Sequence, residues 1–335
     1  MNARPSLLAL LAATAAVPAL AEEVNVYSLR QPELVQPIFD RFTEETGIAV
    51  NVAFVEKGMV ERLVNEGDRS PADLVMTVDI ARLAQVVDAG VTQPVESATL
   101  EANIPAEFRD PGNQWFGLTT RARIVYASKE RVADGEVTTY EDLADPKWKG
   151  RICTRSGTHD YNLGLTAAMI AHHDADTTRT WLEGLKANLA KKPQGGDRDQ
   201  VKSIWAGECD IALGNSYYMG AMLADPEQKA WADSVRIVFP TFEGGGTHMN
   251  VSGVALTKAA PNKDAALKLM EFLSSDEAQR IYAEANNEFP VKPGVERSEL
   301  VKSWGDFTPD ALGLMEVAKS RPEALKLMEE VNYDG

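Results

Sequence analysis

Apolar and polar residues alternate from Glu23 through Val24, Asn25, Val26 and Tyr27 to Ser28, the period-two pattern of a strand with one buried face. Over residues 33–46 the period lengthens: Leu34, Ile38, Phe39 and Phe42 fall on one side of a helix, and Gly47 stops it. Residues 48–55 predict a second strand, residues 57–67 a second helix, and residues 72–76 a third strand. Strand, helix, strand, helix, strand is the order of an α/β chain with a parallel, doubly wound sheet. Ligands of such sheets collect at the carboxyl ends of the strands, which here are residues 27–31, 54–58 and 77–80.

A helix over residues 80–89 and a long polar connection lead to residues 115–126, which read as one extended stretch. That stretch either crosses between two lobes or forms a solvated edge, and in both cases Arg121 and Arg123 share a face. A second α/β unit follows, with a short strand at 151–154, helices at 163–170, 178–190 and 200–206, and a short apolar run at 209–213 that ends as a buried strand at Gly214. After strands at 234–239 and 250–257, helices dominate: 263–273, 275–285, 309–319 and 322–331. With residues 115–126 and the glycine-rich loop 243–248 as the two crossings, the expected division is a signal segment 1–21, one lobe of 22–120 plus 245–295, and another of 121–244 plus 296–335.

The N-terminus changes the setting. Arg4, an apolar run from Leu7 to Val17 and Ala19-Leu20-Ala21 form a secretory signal with cleavage after Ala21. The run is too short to span a membrane, and no later segment supplies about 18 uninterrupted apolar residues. In an exported chain the two cysteines, Cys153 and Cys209, are expected to pair. Four histidines give no spacing of a soft-metal site, and His172-His173 reads as the polar end of a helix. The formal charge is −16, or −17 without the signal segment and its single Arg, which argues against nucleic acid as a partner.

The candidate chemistry lies in Gly214-Asn215-Ser216-Tyr217-Tyr218-Met219-Gly220. If Ser216 caps a helix over 217–223, both phenols sit in its first turn, about 100° apart, and can reach one cleft. Taken alone, the pair also fits one core and one surface tyrosine. Tyr161 repeats the arrangement, following a strand end and preceding a helix. Three phenols at strand-to-helix junctions of one lobe suit ferric ion, a hard acid able to displace phenolic protons, and three phenolates would cancel its charge. Arg30, Arg121 or Arg123 would hold a small anion on the remaining coordination positions. Two other uses compete: stacking of the tyrosines on an organic cation or heterocycle such as thiamine or a polyamine, and a serine hydrolase built from Ser156 and His159 or from Ser216, though no Gly-x-Ser-x-Gly elbow occurs.

The residues 26–31, 70–74, 115–123, 193–201 and above all Gly214-Asn215-Ser216-Tyr217-Tyr218, together with Tyr161-Asn162, resemble the periplasmic ferric-ion-binding proteins of bacterial iron ABC importers. The resemblance covers essentially the whole chain after the signal segment. It implies a type II periplasmic binding-protein fold, Fe(III) on Tyr161, Tyr217 and Tyr218, and a monomer that hands iron to an inner-membrane ABC permease without covalent chemistry or membrane insertion. Some members add a His, or a His-Tyr pair, after the first strand; Gln31 and Pro32 stand there in this chain. The resemblance is therefore closer to members that complete the shell with carbonate or another synergistic anion. Arg30, Gln31 and Arg121 are expected to hold it, with Arg123, Ser156 and Asn162 in support and Tyr27 either behind the ligands or in the core.

Overall fold

The computed structural model describes residues 22–30, 32–55 and 57–335. The signal segment, its cleavage point and Gln31 lie outside the described residues. Nine strands are found among them: β1 (Glu23–Ser28), β2 (Ala49–Phe54), β3 (Leu74–Thr77), β4 (Phe116–Ser128), β5 (Ile152–Cys153), β6 (Ile211–Asn215), β7 (Val235–Val238), β8 (Met249–Leu256) and β9 (Phe289–Pro290). The path of pairing is β2-β1-β3-β8-β4-β6-β5, with β7 and β9 also on β4. The first three strands pair in parallel, as the alternating pattern predicts, and so do β5 and β6. β8 and β4 are antiparallel to their neighbours, so the sheet is mixed.

β4 joins the two halves. Its residues up to Ala122 pair with β8, and those from Arg123 onward pair with β6, joined by β7 from Val125. All 13 of its residues are buried, so it is a crossing strand and not a solvated edge. On one side of this handover Val24, Val26, Ile38, Phe39, Phe42 and Leu74 build a core with the helices Lys263–Leu273 and Asp276–Asn286. On the other, Val125, Trp148, Leu163, Leu165, Trp181 and Leu213 build a second with the helix Arg321–Glu330. The helix Pro32–Thr46 buries the predicted face and ends at Gly47, whose φ of 74° is the left-handed conformation glycine adopts freely.

Two departures have local causes. Within the predicted helix 309–319 only Leu314–Lys319 is helical, because Thr247 takes the backbone just before it: its N–H donates to Thr308 O and its carbonyl accepts from Asp310 N. The polar connection after residue 89 contains a helix, Ala98–Asn103, started by Ser97 Oγ accepting from Leu100 N at 3.2 Å.

Cys153 and Cys209 are bonded, both fully buried, joining β5 to the residues that enter β6. Closing a loop of 56 residues constrains the unfolded chain. Replacing both cysteines by alanine is expected to lower stability by about 2–4 kcal/mol, read as a lower urea midpoint, with a steeper slope because the unfolded chain is no longer cross-linked.

Candidate functional site

β6 ends in a tightly defined way. Its Gly214 lies against the Tyr126 ring of β4, where an added Cβ would stand 2.3 Å from a ring carbon, and Tyr126 donates its hydroxyl to Asn215 O at 2.7 Å. Ser216 is buried, and its N–H donates to Ala122 O while its hydroxyl accepts from Ala122 N. The expected helix cap by its side chain is therefore not made. The helix Tyr218–Ala224 starts from Tyr217, without a side-chain cap, and the Ser216 carbonyl accepts from Met219 N instead. The serine is engaged because β4, distant in sequence, runs alongside it.

Tyr161 approaches from the helix Asp160–His172. His159 caps this helix through Nδ1, which accepts from Tyr161 N at 3.2 Å. Burial and Arg155 pull its imidazole down to about 4, so at neutral pH it is uncharged and free to accept. The three phenols meet: Tyr161 Oη and Tyr217 Oη are 3.1 Å apart, and the Tyr217 and Tyr218 rings pack at 4.3 Å between centroids. Burial pushes the Tyr217 phenol well above its ordinary value, and Tyr161 and Tyr218 push the same way against Arg121. Burial, then Tyr161 and Asp197, raise Tyr218 as well.

These rings line a cavity of about 370 Å³ together with Arg30, Arg121, Arg198 and Glu288. A larger cavity of about 480 Å³ lies elsewhere, walled by Phe108, Phe289 and Phe307, and contains none of the predicted site residues. Arg30 reaches the site cavity from the end of β1. Burial works against its charge, but Glu288 at 3.0 Å more than offsets this. Arg30 Nη2 also donates to Ser252 Oγ at 2.5 Å, and Arg121 Nη1 donates to the same oxygen at 2.9 Å. Arg121 Nη2 is buried and has no partner among the described residues.

Arg123 is elsewhere. It lies beneath the Tyr161 ring, 5.8 Å from its centroid, and donates to Asp197 at 2.8 Å, Asn215 at 3.1 Å and Asn162 at 2.7 Å. Arg155 adds a second cation on Asp197, 3.1 Å away and 5.0 Å from the same ring. Asn162 in turn holds Thr154 and the carbonyls of Arg155 and Ser156. Ser156 Oγ donates to Asp334 and does not line the cavity, and its only bond with His159 is from the His159 backbone N–H to the Ser156 carbonyl, so the two side chains form no serine–histidine pair. Tyr27 is core, with its hydroxyl on Glu66. Asp197, Arg155, Arg198, Ser252 and Glu288 are the site's contributors that sequence patterns did not single out; each reaches it through pairing across distant segments. Among the described residues, no three His, Cys, Asp or Glu side chains gather as a metal site, which leaves the phenols as the converging donors.

A curled mixed sheet with a ligand-sized cavity lined from both of its halves is the architecture of a solute-binding protein. The chain belongs to the bacterial extracellular solute-binding protein family, whose model matches residues 28–280. It is 42% identical to iron uptake protein A1 of Synechocystis over 94% of this chain and 89% of that one. The apo ferric ion-binding protein A of Pasteurella haemolytica shares its fold at a TM-score of 0.90 and 53% identity, covering 94% of this chain and 99% of that chain. A Trichodesmium protein solved with iron and citrate ligands superposes at 0.88 and 42% identity over 93% and 99%. The fold is accordingly the type II periplasmic binding-protein fold.

Asp197 is the carboxylate partner of the buried Arg123 and the part-buried Arg155. Asp197→Ala is expected to cost about 3–5 kcal/mol of folding stability, measured by urea denaturation, because it strands both charges.

Proposed function

We propose that the protein captures ferric ion on Tyr161, Tyr217 and Tyr218 and delivers it to an inner-membrane ABC permease. The observation that carries this reading is the convergence of three phenols on one cavity beside an unpartnered, buried Arg121 Nη2. Phenolate is a hard, anionic donor matched to Fe(III), and three of them neutralise it. The free Arg121 donor, with Arg30 beside it, then suits a small synergistic anion such as carbonate on the remaining coordination positions. Names of relatives point the same way, since proteins 42% and 53% identical are called iron uptake and ferric ion-binding proteins. In this reading the chain is exported to the periplasm after cleavage at Ala21, works as a monomer and performs no covalent chemistry. Its lobes are 22–120 plus 245–295 and 121–244 plus 296–335, a division supported by the two separate cores.

Iron loading is expected to colour the protein through phenolate-to-iron charge transfer, and excess chelator to bleach it. Tyr218→Phe is expected to weaken binding by at least about 100-fold and to shift or remove the band; unchanged colour and affinity in that variant would exclude the assignment. Calorimetry with thiamine and spermidine is expected to show no binding.

The raised Tyr217 and Tyr218 pKa values fix the sign of the pH dependence. Both phenols are protonated near neutral pH and must lose their protons to bind iron, so affinity falls as pH falls. From these two groups alone the loss is about two decades per pH unit, and metal competition between pH 6 and 8 measures it.

A further inference from the structure

Asp160 immediately precedes Tyr161 in the first turn of the helix Asp160–His172, and its carboxylate is held by two arginines of different origin. Arg321 belongs to the helix Arg321–Glu330, which packs in the same core as the helix carrying Tyr161. Arg82 belongs to the helix Ile80–Asp88, whose Ile80 and Leu83 pack on Trp115, Val251 and Ala255 in the other half of the molecule, with Leu314, Met315 and Ala318 of the Asp160 half against the edge of that cluster. Its Nε and Nη2 both donate to Asp160 Oδ2, at 2.9 and 2.6 Å. The contact therefore spans the gap between the halves. Leu29, Gly58 and Thr77, from the ends of the first-half strands and the loop after β2, line the same gap facing Asp160 and Arg321.

A second contact lies at the wall of the site cavity itself. Gly220, in the helix that carries Tyr218, abuts Asn287, the cap of the helix Asp276–Asn286 from the first core, so closely that an added Cβ would lie 2.3 Å from it. Both segments that carry the phenols thus touch the facing half directly, one by shape and one by charge.

We propose that Arg82 and Asp160 form a latch that holds the two halves together over the iron site, with Arg321 as the partner that keeps Asp160 paired when the latch is open. This rests on the iron reading of the three tyrosines. The division of labour follows from the cost of burying a lone carboxylate: an acid with one cross-cleft partner would be stranded on opening, whereas one retained arginine leaves it compensated in both states. At Asp160 itself, opening then breaks only the Arg82 contact, whose guanidinium is one-third exposed. Because Asp160 sits one residue before Tyr161, separation of the halves is felt at a ligand. Arg82 is in this sense a positioning residue, outside the cavity and without contact to the cargo.

The test reads the iron–phenolate absorbance and the rate at which excess chelator bleaches it, in the wild type, Arg82→Gln, Arg82→Lys and Asp160→Asn. Arg82→Gln is expected to keep the band's position and intensity and the metal-free thermal midpoint, yet to bleach about fivefold faster. Arg82→Lys is expected to restore part of the lifetime, since it returns the charge without the two-pronged contact, and Asp160→Asn to bleach as fast as Arg82→Gln or faster. Bleaching of Arg82→Gln at the wild-type rate overturns the latch, as does loss of the band itself in that variant. A wild type that shows no band defeats the iron reading instead. The latch is then decided by small-angle scattering of the metal-free protein, where a larger radius of gyration in Arg82→Gln supports it and an unchanged one overturns it.

Discussion

Burial of charge is the constraint on which the site depends. Asp197 is fully buried and receives Arg123, Arg155 and the backbone N–H of Asn215. Through Arg123 it is linked to Asn162, and through Asn215 to the end of β6, so a single carboxylate ties the two segments that carry the phenols. Each guanidinium needs a carboxylate inside the protein, and the carboxylate needs both to cancel its own desolvation. The geometry of the phenols is thus set by electrostatic compensation beneath them as much as by the strands that deliver them.

Arg30 and Glu288 repeat this logic on the facing side. Their pair is buried, and Thr119 donates to Glu288 at 2.6 Å while Ser252 takes one donor from each of Arg30 and Arg121. The two networks stand on either side of the point where β4 passes from β8 to β6. Arg121 lies just before that point and Arg123 at it, two residues apart on a strand and so on one face, yet each serves a different network. A crossing strand buried along its whole length can carry charges to a cleft between two cores only if such partners await them. This explains why the arginine alternation is visible in the sequence while its partners are not.

What could be read in advance was local. The apolar run ending at Gly214 and the turn residues after it mark a strand-to-helix junction, and the structure puts Tyr217 and Tyr218 there. Helical periods located the helices Pro32–Thr46 and Lys263–Leu273 to within a residue. What could not be read depends on spatial neighbours. Ser216 has the chemistry of a cap but is drawn to Ala122 on β4, and residues 309 and 310 begin a helical pattern but are held by Thr247. Ser156 lies near Tyr161 in sequence, yet Asp334, at the far end of the chain, turns it away. Local pattern decides which element forms, and long-range pairing decides what its polar side chains face.

Charge also separates ferric ion from an organic cation as the cargo. Three arginines, Arg30, Arg121 and Arg198, line the cavity, and among the described residues its only acidic lining residue is Glu288, already engaged by Arg30. A polyamine or thiazolium entering this space would meet the guanidiniums of Arg121 and Arg198 and a Tyr161 ring whose face Arg121, Arg123 and Arg155 already approach. In the proposed assignment ferric ion would escape this penalty because its ligands supply their own charge: three phenols losing protons on binding would turn the incoming cation into a neutral centre. The leftover positive potential of Arg121 and Arg198 then favours an anion on that centre. In that assignment the same arginines that disfavour an organic cation would complete the site for a metal.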